Sequence, residues 1–178
     1  MVNEIVREYA AGLFALAEEE GAGERILIEA RALAPLFTRD YRRLLSDPDI
    51  PKSERIGLVR EALAGRVHPH LLHFVCLMTE RGLIAEVPAC FAQYEELWCA
   101  ENGVLKVRAE SAVELTDAQK ERLAEKLGEK TGRRLLMEYA VNPSLLGGMR
   151  LFYDNRQIDD TVRRHLSEIA ERLSGATV

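Results

Sequence analysis

The residues best suited to metal chemistry lie in one short stretch near the middle of the chain. His68, His70, His73 and Cys76 are of types that can bind zinc. However, His70 and His73 are only three residues apart, and no carboxylate follows at the spacing of a known zinc-protease motif. His68 also directly precedes Pro69 at a predicted helix start. We therefore interpret the histidines as ordinary residues of a helix start and expect no metal and no other cofactor.

Two pairs of adjacent carboxylates are the candidates for acid–base catalysis. They are Glu95 with Glu96, and Asp159 with Asp160. Adjacent side chains on a helix or strand point in different directions, so neither pair can readily share one substrate. We interpret the glutamates as the solvated face of a helix, and Asp159 or Asp160 as the cap of a final helix. Neither pair predicts a catalytic site.

A glycine pair near the C-terminus could be mistaken for a phosphate-binding loop. A strand pattern ends at an Asn-Pro-Ser turn around Pro143, and Gly147 and Gly148 then allow backbone angles or close contacts that a Cβ would forbid. A phosphate-binding loop would need Lys-Ser or Lys-Thr after the glycines and a helix beginning there. Here residues 149–151 continue in strand-like alternation instead. The pattern predicts a structural turn between two strands.

Composition limits the classes of protein to which the chain can belong. Its 178 residues are 30% charged and 47% hydrophobic, as in globular proteins, and suffice for one domain or two smaller ones. The longest uncharged apolar runs cover nine residues, residues 9–17 and 71–79. A bilayer-spanning helix needs about 20. Because the start also lacks a leader pattern, we expect no direct membrane insertion and a protein that stays where it is made.

Cysteine number and charge give two further expectations. The three cysteines form no Cys-x-x-Cys pair, which favours buried thiols in a reducing compartment. Residues 1–103 carry 11 basic and 17 acidic side chains, whereas residues 104–178 carry 13 and 12. Nucleic-acid binding depends on Lys and Arg neutralising phosphates. We therefore expect no nucleic acid as a partner.

Hydrophobic periodicity predicts a mostly α protein with a boundary at Gly103. Before it the pattern is helical, and after it Leu105, Val107 and Ala109 alternate with charged residues, as in a half-exposed strand. Pro35 should kink the second helix or end it near Ala34. We predict a six-helix bundle at 1–103 and a small α+β (β-α-β-β-α) domain at 104–178. The predicted helices of the bundle are 3–20, 24–37, 40–46, 52–64, 69–81 and 84–101.

The second domain is predicted from capping and alternation. Strand 104–112 leads to helix 117–131, which Thr116 and Gln119 begin as a capping box. Strand 133–141 and a strand from Met149 follow. Gln157 and Ile158 predict a short returning strand. A final helix is predicted from a buried stripe of Val162, Leu166, Ile169 and Leu173.

Two helices of the bundle are too apolar for one-sided packing. On the first helix, Ile5, Tyr9, Gly12 and Leu16 form one face, and a second apolar face lies beside it. One-sided packing needs an apolar arc of only about 100°. Helix 69–81 is apolar nearly all round, as a central helix or a partner-binding helix would be. The two helices together favour a groove that accepts an amphipathic helix from another chain. On the sixth helix, a single core stripe is predicted: Val87, Phe91, Tyr94 and Trp98.

Motifs in the helical half resemble those of one protein family. Residues 9–17 read Tyr-Ala-Ala-Gly-Leu-Phe-Ala-Leu-Ala, similar to the family's Tyr-Ala-x-Ala-Leu-Phe-x-x-Ala pattern, with Gly12 in place of the usual Ala. Residues 47–50 resemble its turn after the third helix. Residues 80–83 resemble its turn before the sixth.

The most specific motif lies in the second half. Residues 143–148 read Pro-Ser-Leu-Leu-Gly-Gly and are followed by Ile-Asp at 158–159. On these motifs, the chain resembles the delta subunit of bacterial F-type ATP synthase, a relative of the mitochondrial oligomycin-sensitivity-conferral protein. It departs from the family pattern at position 142 and in residues 153–155 and 160–161, which affects turns and leaves the pattern of elements intact.

The resemblance implies a stator connector without catalysis of its own. It implies a peripheral-stalk subunit that ties the catalytic alpha/beta head to the b-subunit stalk, so that rotation is coupled to proton-driven ATP synthesis. Residues 1–103 would hold the N-terminal helix of an alpha subunit between the first and fifth helices, and residues 104–178 would contact the b subunits. The implied location is peripheral, at the cytoplasmic face of the bacterial cell membrane as part of the ATP synthase complex.

The resemblance and the excess apolar surface indicate the same two helices. The expected groove residues are Ile5, Tyr9, Gly12, Leu16, His73 and Leu77. The expected structural motif consists of Pro143, Gly147, Gly148 and Asp159. Candidates to meet an acidic stalk helix are Lys120, Arg122, Arg163 and Arg164.

Two alternatives stay open from the residues alone. A zinc enzyme would use the histidine stretch described above. A free-standing helical adaptor or RNA-binding module would use the same bundle, since such bundles serve many purposes. The acidic charge of residues 1–103 argues against the RNA version.

Overall fold

The described part of the chain is mostly helical, and a small mixed sheet follows the helices. The computed structural model describes residues 3–154 and 156–161. The chain divides into two compact units, a helical unit of residues 1–98 and a sheet unit of residues 99–178. The hydrophobic periodicity predicts the change of architecture at Gly103.

Helices follow one another along the helical unit with short links. Pro35 acts as predicted, because the second helix ends at Leu33 and a 3-10 turn, Ala34–Leu36, follows it. A second 3-10 turn, Ile84–Glu86, precedes the last helix. The helices are α1 Glu4–Glu19, α2 Gly23–Leu33, α3 Arg39–Ser46, α4 Lys52–Leu63, α5 Pro69–Glu80 and α6 Val87–Glu101.

Side chains outside the helices fix where α1 and α3 begin. The Asn3 side chain accepts a hydrogen bond from the backbone N–H of Ile5 at 3.3 Å, and Thr38 accepts one from the N–H of Tyr41 at 3.3 Å. Such caps satisfy donors that have no partner within the helix. The predicted helix starts at residues 3 and 40 therefore agree with the observed starts to within one residue.

The predicted stripe on α6 forms the centre of the helical core. Val87, Phe91, Tyr94 and Trp98 are all buried, which confirms the prediction. The Tyr94 hydroxyl donates a hydrogen bond of 3.0 Å to the backbone carbonyl of Gly23. A buried hydroxyl needs such a partner, so this bond fixes where α6 lies against the start of α2.

One charged residue of α6 corrects the sequence interpretation. Glu95 was predicted on a solvated face, but it is only 5% exposed. Its carboxylate lies 3.4 Å from Nε of Arg31 on α2. Glu96, its neighbour, is exposed as predicted. The positive charge of Arg31, which lies on a different helix, pairs with the Glu95 carboxylate and makes its burial possible.

Burial also affects the titration of two core groups. It raises the pKa of the Cys90 thiol from 9.0 to about 11, with the Glu86 carboxylate adding to the effect. Burial, followed by the Glu18 carboxylate, raises the pKa of Tyr94 above 10.0. In both cases the folded protein favours the protonated, neutral form. All three cysteines are buried thiols, as predicted.

These shifts predict a loss of stability in alkaline solution. A pKa that is higher in the folded state stabilises the fold fully below the unfolded-state pKa, and this contribution is lost as pH rises through the folded-state value. The urea midpoint should therefore fall between pH 9 and pH 11. A Cys90→Ala variant should show a smaller fall over the same range. A midpoint that stays constant or rises with pH would contradict the prediction.

In residues 99–154 and 156–161, the sheet unit has four strands and one helix that follows β1. The strand order is β2-β1-β3-β4. Strands β1 and β2 are parallel, whereas β1–β3 and β3–β4 are antiparallel. The capping box at Thr116 and Gln119 is confirmed. The elements are β1 Leu105–Ser111, α7 Asp117–Thr131, β2 Leu135–Val141, β3 Gly148–Tyr153 and β4 Arg156–Thr161.

One face of the sheet carries the core of this unit. Leu105, Val107 and Ala109 of β1 are buried with Leu151 of β3. The burial of alternate β1 residues confirms the predicted strand alternation, and Leu123 and Leu127 of α7 pack against this face. The opposite face carries charged pairs, for example Lys106 with Glu138 at 3.4 Å.

The end of the described chain corrects two predictions. The returning strand at Gln157 and Ile158 extends over six residues, so the sheet has four strands where the predicted topology counted three. Asp159 and Asp160 therefore lie in β4, and neither caps a helix among the described residues. Arg150 on β3 explains the difference for Asp159, since its Nε and Nη2 atoms each lie 3.0 Å from the Asp159 carboxylate. The predicted final-helix residues, Val162, Leu166, Ile169 and Leu173, lie outside the described residues.

The glycine pair links a short turn to the start of β3. Pro143 begins a 3-10 turn, Pro143–Leu145, and the Asn142 side chain accepts a hydrogen bond from the N–H of Ser144 at 3.2 Å. Gly147 follows the turn, and Gly148 begins β3 with φ of 82°. Glycine adopts that left-handed angle without the cost that a Cβ imposes.

Candidate functional site

A groove of about 700 Å³ lies between α1 and α5 of the helical unit. Most of its lining is aliphatic or aromatic, and the polar side chains are one glutamate, one tyrosine and two histidines. The α1 side contributes Glu8, Tyr9, Gly12, Leu13, Ala15 and Leu16, and the α5 side contributes His70, His73, Phe74 and Leu77.

The α1 wall results from the double apolar face of that helix. Val6, Ala10 and Leu13 face the core and are buried. The neighbouring face is then left with no place in the core, and Leu16 on it is 46% exposed. Tyr9, on the same face, is half-buried. Of the two predicted apolar faces of α1, the face with Tyr9 and Leu16 is the one whose apolar surface stays exposed.

The α5 wall has the same origin. Leu71, Val75 and Met78 are completely buried. His73 and Leu77 lie one helical turn apart on the opposite side and are exposed, with Leu77 at 38%. An exposed leucine on its own needs no explanation, but two facing apolar walls form a surface suited to a partner helix.

Gly12 gives the groove a bare floor. No atom lies within 4 Å of the position that a Cβ on Gly12 would occupy. Crowding within the chain itself therefore does not explain why this residue is a glycine. Its effect is to let another chain approach the α1 backbone more closely than an alanine would allow.

One end of the groove is fixed by an acidic residue and two histidines. The Glu20 carboxylate, just after α1, lies 3.0 Å from Nε2 of His70 and 3.6 Å from Nε2 of His68. Nδ1 of His68 also accepts a hydrogen bond from the N–H of His70 at 3.3 Å. These contacts link the end of α1 to the start of α5 and hold the two walls together.

The same contacts describe the histidine stretch that was considered for zinc. His68 caps α5 and His70 contacts Glu20, whereas His73 lines the groove one turn further on. Throughout residues 3–154 and 156–161, no three His, Cys, Asp or Glu side chains come together as metal ligands would.

The structure brings together five of the six predicted groove residues. Tyr9, Gly12 and Leu16 lie opposite His73 and Leu77. Ile5 lies on the same face of α1 and is 38% exposed, but it does not line the groove.

Sequence reasoning missed some of the lining. Glu8 and Ala15 were not predicted, although both lie on the Gly12 face of α1, at i−4 and i+3. Leu13, on the neighbouring face of α1, and His70 and Phe74, on α5, also line the groove without having been predicted there. Helical spacing from Gly12 is the signal that could have identified the first two.

The candidates for contact with a stalk helix lie in different surroundings. Lys120 is paired with Asp117 at 3.2 Å and lies 5.8 Å from the centre of the Tyr139 ring. Arg122 lines a shallow depression of about 260 Å³ on the sheet unit, together with Lys126 and with apolar residues that include Leu115 and Met149. Arg163 and Arg164 lie outside the described residues.

No helix in the described parts of the chain combines the length and the apolar character needed to cross a bilayer.

Comparison with known sequences identifies one family. The sequence model described as ATP synthase delta (OSCP) subunit matches residues 5–173. Similar curated proteins are named ATP synthase subunit delta. That of Symbiobacterium thermophilum is 29% identical, with 99% of this chain and 96% of the relative covered. That of Clostridioides difficile is 29% identical, with 98% of each covered.

Comparison with solved structures gives a similar fold. A chain in the cryo-EM structure of the Toxoplasma gondii mitochondrial ATP synthase hexamer matches with a TM-score of 0.73 and 11% identity. The match covers 96% of this chain and 98% of that one. At this identity the likeness concerns the fold alone.

Proposed function

Because the chain belongs to the ATP synthase delta (OSCP) subunit family, we propose that its helical unit holds the N-terminal helix of an alpha subunit in the groove between α1 and α5. The protein is a delta-type subunit of the F-type ATP synthase and a component of its peripheral stalk. The observation that carries the proposal is the groove itself, which lies between the two helices that have apolar surface to spare.

The lining specifies what kind of segment the groove accepts. An α-helix with its side chains is about 10–12 Å across, and an amphipathic one presents apolar residues at i, i+3, i+4 and i+7. Leu16 and Leu77 offer apolar contacts on opposite walls, and the bare floor at Gly12 admits a bulky side chain. The polar rim at Glu8 and His73 would meet the edge of the partner's polar face.

The apolar lining of the groove suits a subunit that acts by binding its partners. The walls provide hydrophobic burial, and we propose that the subunit acts by holding its partners and has no catalysis of its own. It would tie the alpha/beta head to the b-subunit stalk, so that rotation of the central rotor is coupled to proton-driven ATP synthesis. The complex would lie at the cytoplasmic face of a bacterial cell membrane, with this subunit peripheral.

We further propose that the sheet unit contacts the b subunits. The depression on this unit supports the proposal, because Arg122 and Lys126 border apolar residues such as Leu123. Such a surface suits an amphipathic helix that carries acidic residues. Lys120 is the weaker candidate, since it is already paired with Asp117.

Peptide binding to the full-length protein tests the groove. The probe is a synthetic peptide of the alpha subunit's N-terminal helix, followed by fluorescence anisotropy. Tyr9→Asp and Leu77→Asp should each weaken binding at least about tenfold, because each places a carboxylate against an apolar partner surface. Ile28→Asp is the matched control, since Ile28 is 63% exposed on α2 and does not line the groove.

The same assay separates the proposal from an RNA-binding module. Single-stranded RNA should not bind tightly. An equal loss with Ile28→Asp, or tight RNA binding without peptide binding, would refute the groove proposal.

A further inference from the structure

Arginines make up half of the residues that line a second depression in the helical unit. It has a volume of about 600 Å³ and lies between α3 and the 3-10 turn Ile84–Glu86. It shares no lining residue with the groove between α1 and α5. Its lining consists of Arg39, Asp40, Arg42, Arg43, Ser46 and Ala85.

The charge of this surface is opposite to that of its surroundings. Residues 1–98 carry 11 basic and 16 acidic side chains, and three of the basic ones line this single depression. Within the described residues, neither Arg39 nor Arg43 forms an ion pair, and both are exposed. The positive charge of α3 is therefore available to a partner.

Arg42 is satisfied only in part by its own chain. Its Nη1 donates a long hydrogen bond of 3.5 Å to the backbone carbonyl of Ala85. Its Nε is buried and has no acceptor among the described residues. Arg42 likewise forms no ion pair within the described residues, so its positive charge adds to that of Arg39 and Arg43.

We propose that the arginine face of α3 binds an acidic helical segment of a neighbouring protein chain. Arg39 and Arg43 are four residues apart, so they repeat about 6 Å along the helix axis. Glutamates or aspartates at i and i+4 on a facing helix repeat at the same distance. The charges are complementary, and the guanidinium geometry suits paired recognition of carboxylates.

A phosphate-rich polymer is a poorer match for this surface. Helix α3 has eight residues and is therefore only about 12 Å long. Asp40 lies within the lining, and the rest of the helical unit is acidic, so a long polyanion would be repelled on either side. A short segment with a few carboxylates avoids that repulsion.

Nuclear magnetic resonance titration of the labelled full-length chain tests the proposal. The probes are a helical peptide with Glu at i and i+4 on one face, the same peptide with Gln in those places, and inorganic phosphate. The Glu peptide should shift the amide signals of residues 39–46 and of Ala85, whereas the Gln peptide should not. The Arg39→Glu/Arg43→Glu variant should bind the Glu peptide at least about fivefold more weakly.

Two control variants make the result specific. Arg60→Glu/Arg66→Glu changes the net charge equally at exposed sites outside the depression, and it should weaken binding less than about twofold. The Leu77→Asp variant, changed in the groove, should bind the Glu peptide as tightly as the unchanged protein does. This test therefore distinguishes the α3 site from the proposed binding of the alpha-subunit helix in the groove. Equal losses in the two arginine variants, equal binding of the Gln peptide, or tighter binding of phosphate than of the Glu peptide would each overturn the proposal.

Discussion

ATP synthase that contains this subunit with Leu16→Asp and Leu77→Asp should lose at least about tenfold in ATP synthesis driven by a proton gradient. The two leucines lie on opposite walls of the groove and are both partly exposed. Each substitution would place a charge where an apolar partner surface must be buried, and about 1.4 kcal/mol suffices for each tenfold loss of binding. ATP hydrolysis by the catalytic head should persist, because the head would be released and its chemistry left intact.

The measurement compares ATP synthesis and ATP hydrolysis in inverted membrane vesicles. The matched control is Ile28→Asp with Leu36→Asp, which places the same two charges at exposed sites outside the groove. Control vesicles should keep their coupling. Normal synthesis with the groove variant would contradict both the prediction and the proposed role.

The Trp98→Ala variant should lower the free energy of unfolding by about 3–5 kcal/mol. Trp98 is 5% exposed and belongs to the α6 stripe in the helical core. A Cβ on Gly23 would lie only 3.1 Å from two atoms of the indole ring, so the ring packs directly on the backbone at the start of α2. Removing the ring leaves a cavity that this backbone cannot fill.

Urea denaturation of the purified protein measures the effect. Leu36→Ala, at an exposed position, should change stability by less than about 0.5 kcal/mol. Tyr94→Phe should cost about 1 kcal/mol, because it removes only the hydrogen bond to Gly23. A loss below about 1.5 kcal/mol for Trp98→Ala would mean that the α6 stripe is not the main support of the core.

Local sequence signals predict the elements well because they act over a few residues. Pro35 ends α2 by its own chemistry, and the Thr116–Gln119 capping box begins α7 within four residues of sequence. The stripe on α6 is likewise a property of one helix. Helix α7 begins and ends at the predicted residues, Asp117 and Thr131.

Features set by distant partners could not be predicted in this way. Glu95 has the sequence context of an exposed helix residue, and only Arg31, from another helix, makes its burial possible. Asp159 has the local context of a helix cap, but pairing of β4 with β3 places it against Arg150. Hydrogen-bonding register between strands is not encoded in a few adjacent residues.

The groove falls between these two cases. Periodicity predicts that α1 has two apolar faces, since this depends on α1 alone. It does not predict which face is left exposed, because that depends on the helices that pack against Val6, Ala10 and Leu13. The family resemblance indicated the Tyr9 face, and the structure leaves that face, lined by Leu16, open.

The groove beside Gly12 is mostly apolar, whereas the α3 face is charged. The two proposed contacts would therefore respond differently to ionic strength. With few charges in the groove, attachment there would depend on apolar burial, which physiological changes in salt alter little. The arginine face of α3 would weaken as salt screens its charges. When the internal potassium concentration of a cell rises under osmotic stress, the contact at α3 would then weaken. The contact in the groove between α1 and α5 would persist.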